Sequence, residues 1–207
     1  MSGGTKKRLV VAVTGASGAL YAVRLLKAAL ELGLEIDLVA SDYGRRLLIE
    51  ECDLNLKTTE VGAWLGRRYG ASDLSGRIRL HREQDLDAGI ASGSQHWAGM
   101  VVIPCSMKTL SGIAVGSASN LIERSADVTL KERRPLVLVP RETPLNLIQL
   151  ENLTRVARAG AIVVPAMPAF YYGPQSLEDL ADFIVGRVFS VLGIRHSLFT
   201  AWKSDQD

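Results

Sequence analysis

The apolar residues of this chain cluster in short runs, and between the runs they recur every three or four positions. The runs are Arg8–Val13 (R-L-V-V-A-V), Glu35–Ala40 (E-I-D-L-V-A), Ile78–His81, Val101–Ile103, Leu136–Val139 and Ala161–Val164. Runs with so few polar interruptions signal strands covered on both faces, as in a parallel sheet. The stretches between them predict helices over Ala19–Leu32, Tyr43–Glu51, Glu60–Tyr69, a segment ending near Val115, Asn120–Arg133 and Asn146–Ala159, with a last long helix from Ser176. Breakers agree with these ends: Gly33 stops the first helix, Pro135 follows the one from Asn120, and Gly160 closes the next. Ser176-Leu177-Glu178-Asp179 opens the last helix with an S-x-x-D capping pattern.

Five to six strands alternating with helices, with no repeat or linker between them, predict an α/β fold. The expected architecture is a single-domain doubly wound parallel sheet, a Rossmann/flavodoxin-like three-layer sandwich over 1–207 with a tail from about residue 195.

Composition narrows the function classes. At 207 residues and 47% hydrophobic the chain can bury a full core. Its net charge of +2 comes from interleaved acids and bases, which leaves no electrostatic footprint for nucleic acid. No apolar run approaches the roughly 20 residues needed to cross a bilayer, and Met1–Lys7 is too polar for a secretion signal, so a cytoplasmic location is expected. Cys52 and Cys105 are expected as free thiols, and His81, His96 and His196 show no metal-binding spacing.

Small polar residues follow successive strands, where open α/β sheets bind ligands. Thr14-Gly15-Ala16-Ser17-Gly18-Ala19 joins the first strand to its helix. It reads either as a phosphate-attracting helix N-terminus or as a tight turn that needs small residues. It is not a Walker A loop and lacks the third glycine of G-x-G-x-x-G. Ser41 ends the second strand as a ligand contact or an ordinary N-cap. Ala91-Ser92-Gly93-Ser94-Gln95 reads as a phosphate cradle, a lid or neither. Ser106 and Thr109 after the fourth strand can donate to a ligand, whereas Cys105 reads as packing because no histidine near it in sequence would activate it.

The densest chemistry lies in Asn120–Pro144. Arg124 and Lys131, seven apart, share one helix face, with Asp127 placed to support Lys131 at i,i+4. Arg141 and Glu142 follow the buried strand directly. The Pro- and aromatic-rich loop 165–174 can wall a pocket, with tyrosine hydroxyls within reach of a leaving group. Arg187, among apolar neighbours in the last helix, calls for an anionic partner, either an internal carboxylate or a ligand phosphate. Trp202 in the tail is expected to dock on a neighbour or at a pocket mouth.

These blocks resemble the UbiX-like flavin prenyltransferases over nearly the whole chain. The matching blocks are T-G-A-S-G-A at 14–19, P-C-S-M-K-T-L at 104–110, N-L-I-E-R-S-A-D-V at 120–128, L-K-E-R-R-P-L-V-L-V-P-R-E-T-P-L at 130–145 and P-A-x-P-x-F-Y at 165–171. The resemblance implies transfer of a dimethylallyl group from dimethylallyl phosphate to N5 and C6 of reduced FMN, without metal, and delivery of the prenylated FMN to a UbiD-type decarboxylase. It implies FMN contacts from Gly15, Ala16, Ser17, Ser41, Ser106, Met107, Lys108, Thr109 and Arg141. For the prenyl phosphate it implies Arg124, Lys131, Arg141, Glu142, Tyr171 and Arg187. Glu142 is the implied acid, with Ser17 and Glu51 in proton transfer at the flavin. A homo-oligomer, with a dodecamer as one form, is implied too. Leu86 and Gln149 depart from residues frequent in the family, a tryptophan and a histidine respectively. Two alternatives are an FMN-dependent cysteine decarboxylase, against which Pro168 stands where that group has asparagine, and a non-catalytic FMN carrier.

Overall fold

The computed structural model describes residues 8–70, 74 and 76–199; Trp202 lies outside them. The elements run β1 (Arg8–Val13), α1 (Ala19–Glu31), β2 (Glu35–Ala40), α2 (Asp42–Cys52), α3 (Val61–Tyr69), β3 (Ile78–His81), β4 (Gly99–Cys105), α4 (Met107–Val115), α5 (Leu121–Lys131), β5 (Leu136–Pro140), α6 (Leu147–Arg158), β6 (Ile162–Val163) and α7 (Leu177–Val191). A 3₁₀ turn at Gly89–Ala91 precedes β4.

All six strands are parallel, in the order β3-β2-β1-β4-β5-β6. That is the doubly wound order, with the chain reversing direction across the sheet between β1 and β4. The strands split the core by parity. Leu9, Val11, Val13, Val101, Ile103, Val137 and Val139 face a layer that includes α1, α3 and α7. Val10, Ala12, Met100, Val102, Leu136 and Leu138 face the opposite layer, with α4 and α5. Both faces are thus apolar, the physical reason the strands read as uninterrupted runs.

Several predicted bounds shift by a residue or two. Asn120, Asn146 and Ser176 stand outside their helices as N-caps, each accepting from the amide three residues on. Gln149 completes a capping box with Asn146, so the departure at that position has a local structural use. Strand β4 runs longer than Val101–Ile103, whereas β6 shrinks to Ile162–Val163 at the sheet edge.

Candidate active site

Four neighbouring strand ends are stapled together. Thr14, fully buried after β1, donates its hydroxyl to the Pro104 carbonyl at 2.8 Å and accepts from the Ser106 amide at 2.7 Å. The Ser41 amide donates to the Val13 carbonyl at 3.0 Å, and the Arg141 amide to the Cys105 carbonyl at 3.4 Å. Close approach dictates two glycines: a Cβ on Gly44 would lie 2.3 Å from the Val13 carbonyl oxygen, and one on Gly15 would lie 2.6 Å from Tyr43 Cβ. The N-termini of α2 and α4 therefore converge on the β1/β4 switch point.

Between them lies a cavity of about 240 Å³ lined by Gly15, Ser41, Tyr43, Ser106, Lys108 and Thr109, with Asp42, Glu83, Asn120 and Glu123 on its other walls. Ser41 and Ser106 are both N-caps, accepting from Gly44 and Thr109 respectively. The Met107 and Lys108 amides have no hydrogen bond among the described residues, as expected of a helix's first turn. Free amides, hydroxyls and one ammonium group suit a phosphate monoester, so the residues fit the phosphate end of FMN.

The α1 turn behaves differently from the phosphate reading of its sequence. Glu51 reaches back from α2 and accepts from the Gly18 and Ala19 amides at 2.8 and 2.7 Å, so a carboxylate of this chain already fills that N-terminus. Gly18 itself has φ +112°, which favours glycine. Ser17 is exposed, and its carbonyl accepts from Arg141 Nε at 3.0 Å. Ser17 and Glu51 share a second cavity of about 380 Å³ with Tyr21, Arg68, Leu177 and Glu178. Burial raises the Tyr21 phenol above its usual range, although the Arg141 charge opposes this. Ser17, Glu51 and Arg141 thus come together around the α1 turn, where Glu51 acts as a cap.

The prenyl-phosphate set does not assemble within one chain. Arg141 and Glu142 follow the carboxyl end of β5, and Glu142 accepts from the Thr143 amide at 3.0 Å. Lys131 ends α5, just before β5 begins, so the length of that five-residue strand, roughly 16 Å, separates it from Arg141. Arg187 is the eleventh residue of α7, roughly 15 Å along the helix from its start. It is exposed and makes no hydrogen bond or ion pair among the described residues, so of its two expected partners the internal carboxylate is not found there. Asp127 does not support Lys131 either: it pairs with Arg124 at 3.0 Å, while Lys131 lies 3.5 Å from Glu132.

Tyr171 is half exposed, packed edge-on against Tyr172 and Phe183, and the Tyr172 hydroxyl is committed to the Asp179 carbonyl at 2.9 Å. The Ala91–Gln95 loop is pinned, because Arg124 donates to the Ala91 carbonyl at 3.1 Å and Arg134 to the Gly93 carbonyl at 3.0 Å.

Three acidic residues of the first cavity, Asp42, Glu83 and Glu123, are not among the sequence candidates. Glu123 is nearly fully buried and accepts from Ser117 Oγ, Ser119 N and Ser119 Oγ. Burial would raise its carboxyl, but these hydrogen bonds prevail and hold it below the usual range. Glu83 lies two residues past the end of β3, so the strand-end rule applied to β3 would have found it. Among the described residues, no group of three or more His, Cys, Asp or Glu is placed to hold a metal ion. No helix among them is long and apolar enough to cross a membrane.

Fold and site together define a flavoprotein with its binding crevice at the switch point of a doubly wound sheet. The family profile described as Flavoprotein matches residues 2–189. The flavin prenyltransferase UbiX of Halalkalibacterium halodurans is 46% identical over 197 residues, covering 95% of this chain and 94% of that protein. That of Pseudomonas aeruginosa is 45% identical over 198 residues, with 95% and 94% covered. Among solved structures, AnUbiX (PadA1) in complex with FMN and dimethylallyl pyrophosphate superposes with TM-score 0.86 at 40% identity, covering 98% of this chain and 100% of the other. A dodecameric FMN-dependent UbiX-like decarboxylase from Escherichia coli O157:H7 gives TM-score 0.84 at 41% identity, covering 94% and 98%. The chain belongs to the UbiX flavin prenyltransferases.

Proposed function

We propose that this chain transfers a dimethylallyl group from dimethylallyl phosphate to N5 and C6 of reduced FMN, and that a UbiD-type decarboxylase receives the product. The observation that carries the reading is the near full-length likeness to a relative solved with both FMN and a dimethylallyl donor. When bound, reduced FMN supplies the two nucleophilic positions. Ser41, Ser106, Met107, Lys108 and Thr109 hold its phosphate in the cavity between α2 and α4, while Gly15, Ala16, Ser17 and Arg141 line the flavin side. Glu142 gives a proton to the departing phosphate oxygen as the allylic C–O bond breaks. Ser17, fixed in the turn that Glu51 anchors, moves a proton at the flavin edge.

Arg124, Lys131, Arg141, Tyr171 and Arg187 neutralise the donor phosphate in place of a metal. Because Lys131 and Arg187 lie far from Arg141 along one chain, the cluster forms between copies, and a relative at 41% identity is a dodecamer. Exposed Leu147, Ile148, Met167 and Phe170 provide apolar surface for such contacts.

That same relative is described as a decarboxylase, which gives a second reading. Inorganic phosphate release separates the possibilities. Prenyl transfer requires release that depends on reduced FMN and dimethylallyl phosphate and survives EDTA. A carrier binds FMN and releases no phosphate. A decarboxylase liberates carbon dioxide from an acid substrate with no prenyl donor present.

A further inference from the structure

The cavity between α2 and α4 combines cationic and dipolar features that attract a phosphate with an acidic residue that opposes one. Glu83 lines it together with Ser41, Ser106, Lys108 and Thr109. Its carboxylate accepts from the Asp42 amide, the first of α2, at 3.3 Å. It thus occupies the anion seat at that helix N-terminus. Charged groups face it from three elements: Asp42 and Arg45 on α2, Lys108 on α4, and Glu123 on α5 across the cavity. Burial is the main cause that raises the Glu83 carboxyl above the usual range, with Asp42 adding to it; the Asp42 amide, Arg45 and Lys108 pull the other way without cancelling it.

A phosphate brought into this cavity places further negative charge beside Glu83, and like charges at one site favour protonation of the weaker acid. We propose that Glu83 couples FMN binding to proton uptake, so that its carboxylate weakens the hold on the flavin phosphate in mildly basic solution and not in mildly acidic solution. The inference rests on the placement of the FMN phosphate between α2 and α4. The sign follows from linkage: the free protein carries Glu83 deprotonated above its own pKa, the complex carries it protonated over a wider range, and affinity falls with pH between the two values. The phosphate of FMN also titrates, near pH 6, and favours binding in the opposite direction as its charge grows. Only the difference between proteins isolates Glu83.

The test is a set of FMN dissociation constants for the apoprotein, read by flavin fluorescence from pH 5 to 8, for wild type, Glu83→Gln and Thr109→Val. Riboflavin, which lacks the phosphate, is the control ligand. At pH 8 Glu83→Gln should bind FMN about tenfold more tightly than wild type, the equivalent of one unit of pKa shift. The gap should close toward pH 5, and riboflavin affinity should be the same for both proteins. Superimposable pH profiles for wild type and Glu83→Gln overturn the proposal. Thr109→Val separates the two levels of the argument. If it weakens FMN but not riboflavin while Glu83→Gln has no effect, only the role of Glu83 falls. If it leaves FMN untouched, the phosphate lies elsewhere and both readings fall.

Discussion

In the proposed reaction, single residues at the carboxyl edge of the sheet carry the chemistry, with Glu142 as the acid. It follows Arg141 directly after β5, so the acid and a cation for the leaving group are delivered by adjacent positions of one strand end. Replacing Glu142 by Gln keeps the shape and removes the transferable proton. Single-turnover prenyl transfer should slow by about 10²–10⁴-fold, the usual worth of a general acid, with FMN affinity unchanged. Equal single-turnover rates for the two proteins would remove Glu142 from proton transfer. The strand-end positions of the candidate residues were legible because strand ends can be found from apolar runs alone. The internal-carboxylate alternative for Arg187 rested on its apolar neighbours in sequence, whereas Ala181, Ile184, Val185, Val188 and Phe189 define a buried arc of α7 that excludes it. Helical periodicity, applied to that helix, places position 187 more than a quarter turn away from the arc's centre.

At the scale of elements, the β3-β2-β1 half of the sheet is tied by a buried charge. Asp37 in β2 accepts from Arg8 of β1 through both guanidinium donors and from His81 Nε2 of β3 at 2.7 Å. Burial alone would raise its carboxyl, but the hydrogen bonds from His81 and Arg8 outweigh that and hold it below the usual range. A depressed folded value means the stabilisation is present above the ordinary carboxylate range, near pH 4, and is lost as pH falls through the lower folded value. Asp37→Asn should cost about 2 kcal/mol at pH 7, less than an enclosed pair because Arg8 is partly exposed to water. Denaturation midpoints of wild type and variant should converge toward pH 3, and a gap that stays constant with pH would contradict this assignment. The sequence showed β2 as a strand but not this tie, because the pairing of Arg8, Asp37 and His81 exists only once strand order is known. The same limit applies to Asp127, which helix spacing assigned to Lys131 at i+4 and which the structure pairs with Arg124 instead.

For the whole molecule, the order of the six strands decides what one chain can do alone. Helix spacing correctly put Arg124 and Lys131 on one face of α5, yet it could not tell which edge of the sheet each would reach. The parallel sheet sends Lys131 to the edge opposite Arg141, and Arg187 lies well along α7 from its start. A donor site assembled between copies makes a distinctive prediction. Arg141→Ala and Arg187→Ala should each be nearly inactive alone, whereas oligomers co-assembled from both should regain activity through sites that draw one intact residue from each copy. Recovery no greater than the sum of the separate variants would place the whole site within one chain.

The central claim, that this protein alkylates flavin, is tested most directly by the mass of the flavin itself. Purified protein is incubated anaerobically with reduced FMN and dimethylallyl phosphate, without added metal and with EDTA present, and the flavin is extracted for mass spectrometry. The account predicts a flavin heavier by one prenyl unit, formed with stoichiometric phosphate release and absent when Glu142→Gln replaces the wild type on the single-turnover timescale. Recovery of unmodified FMN from protein that binds it tightly, with the donor intact, would contradict it.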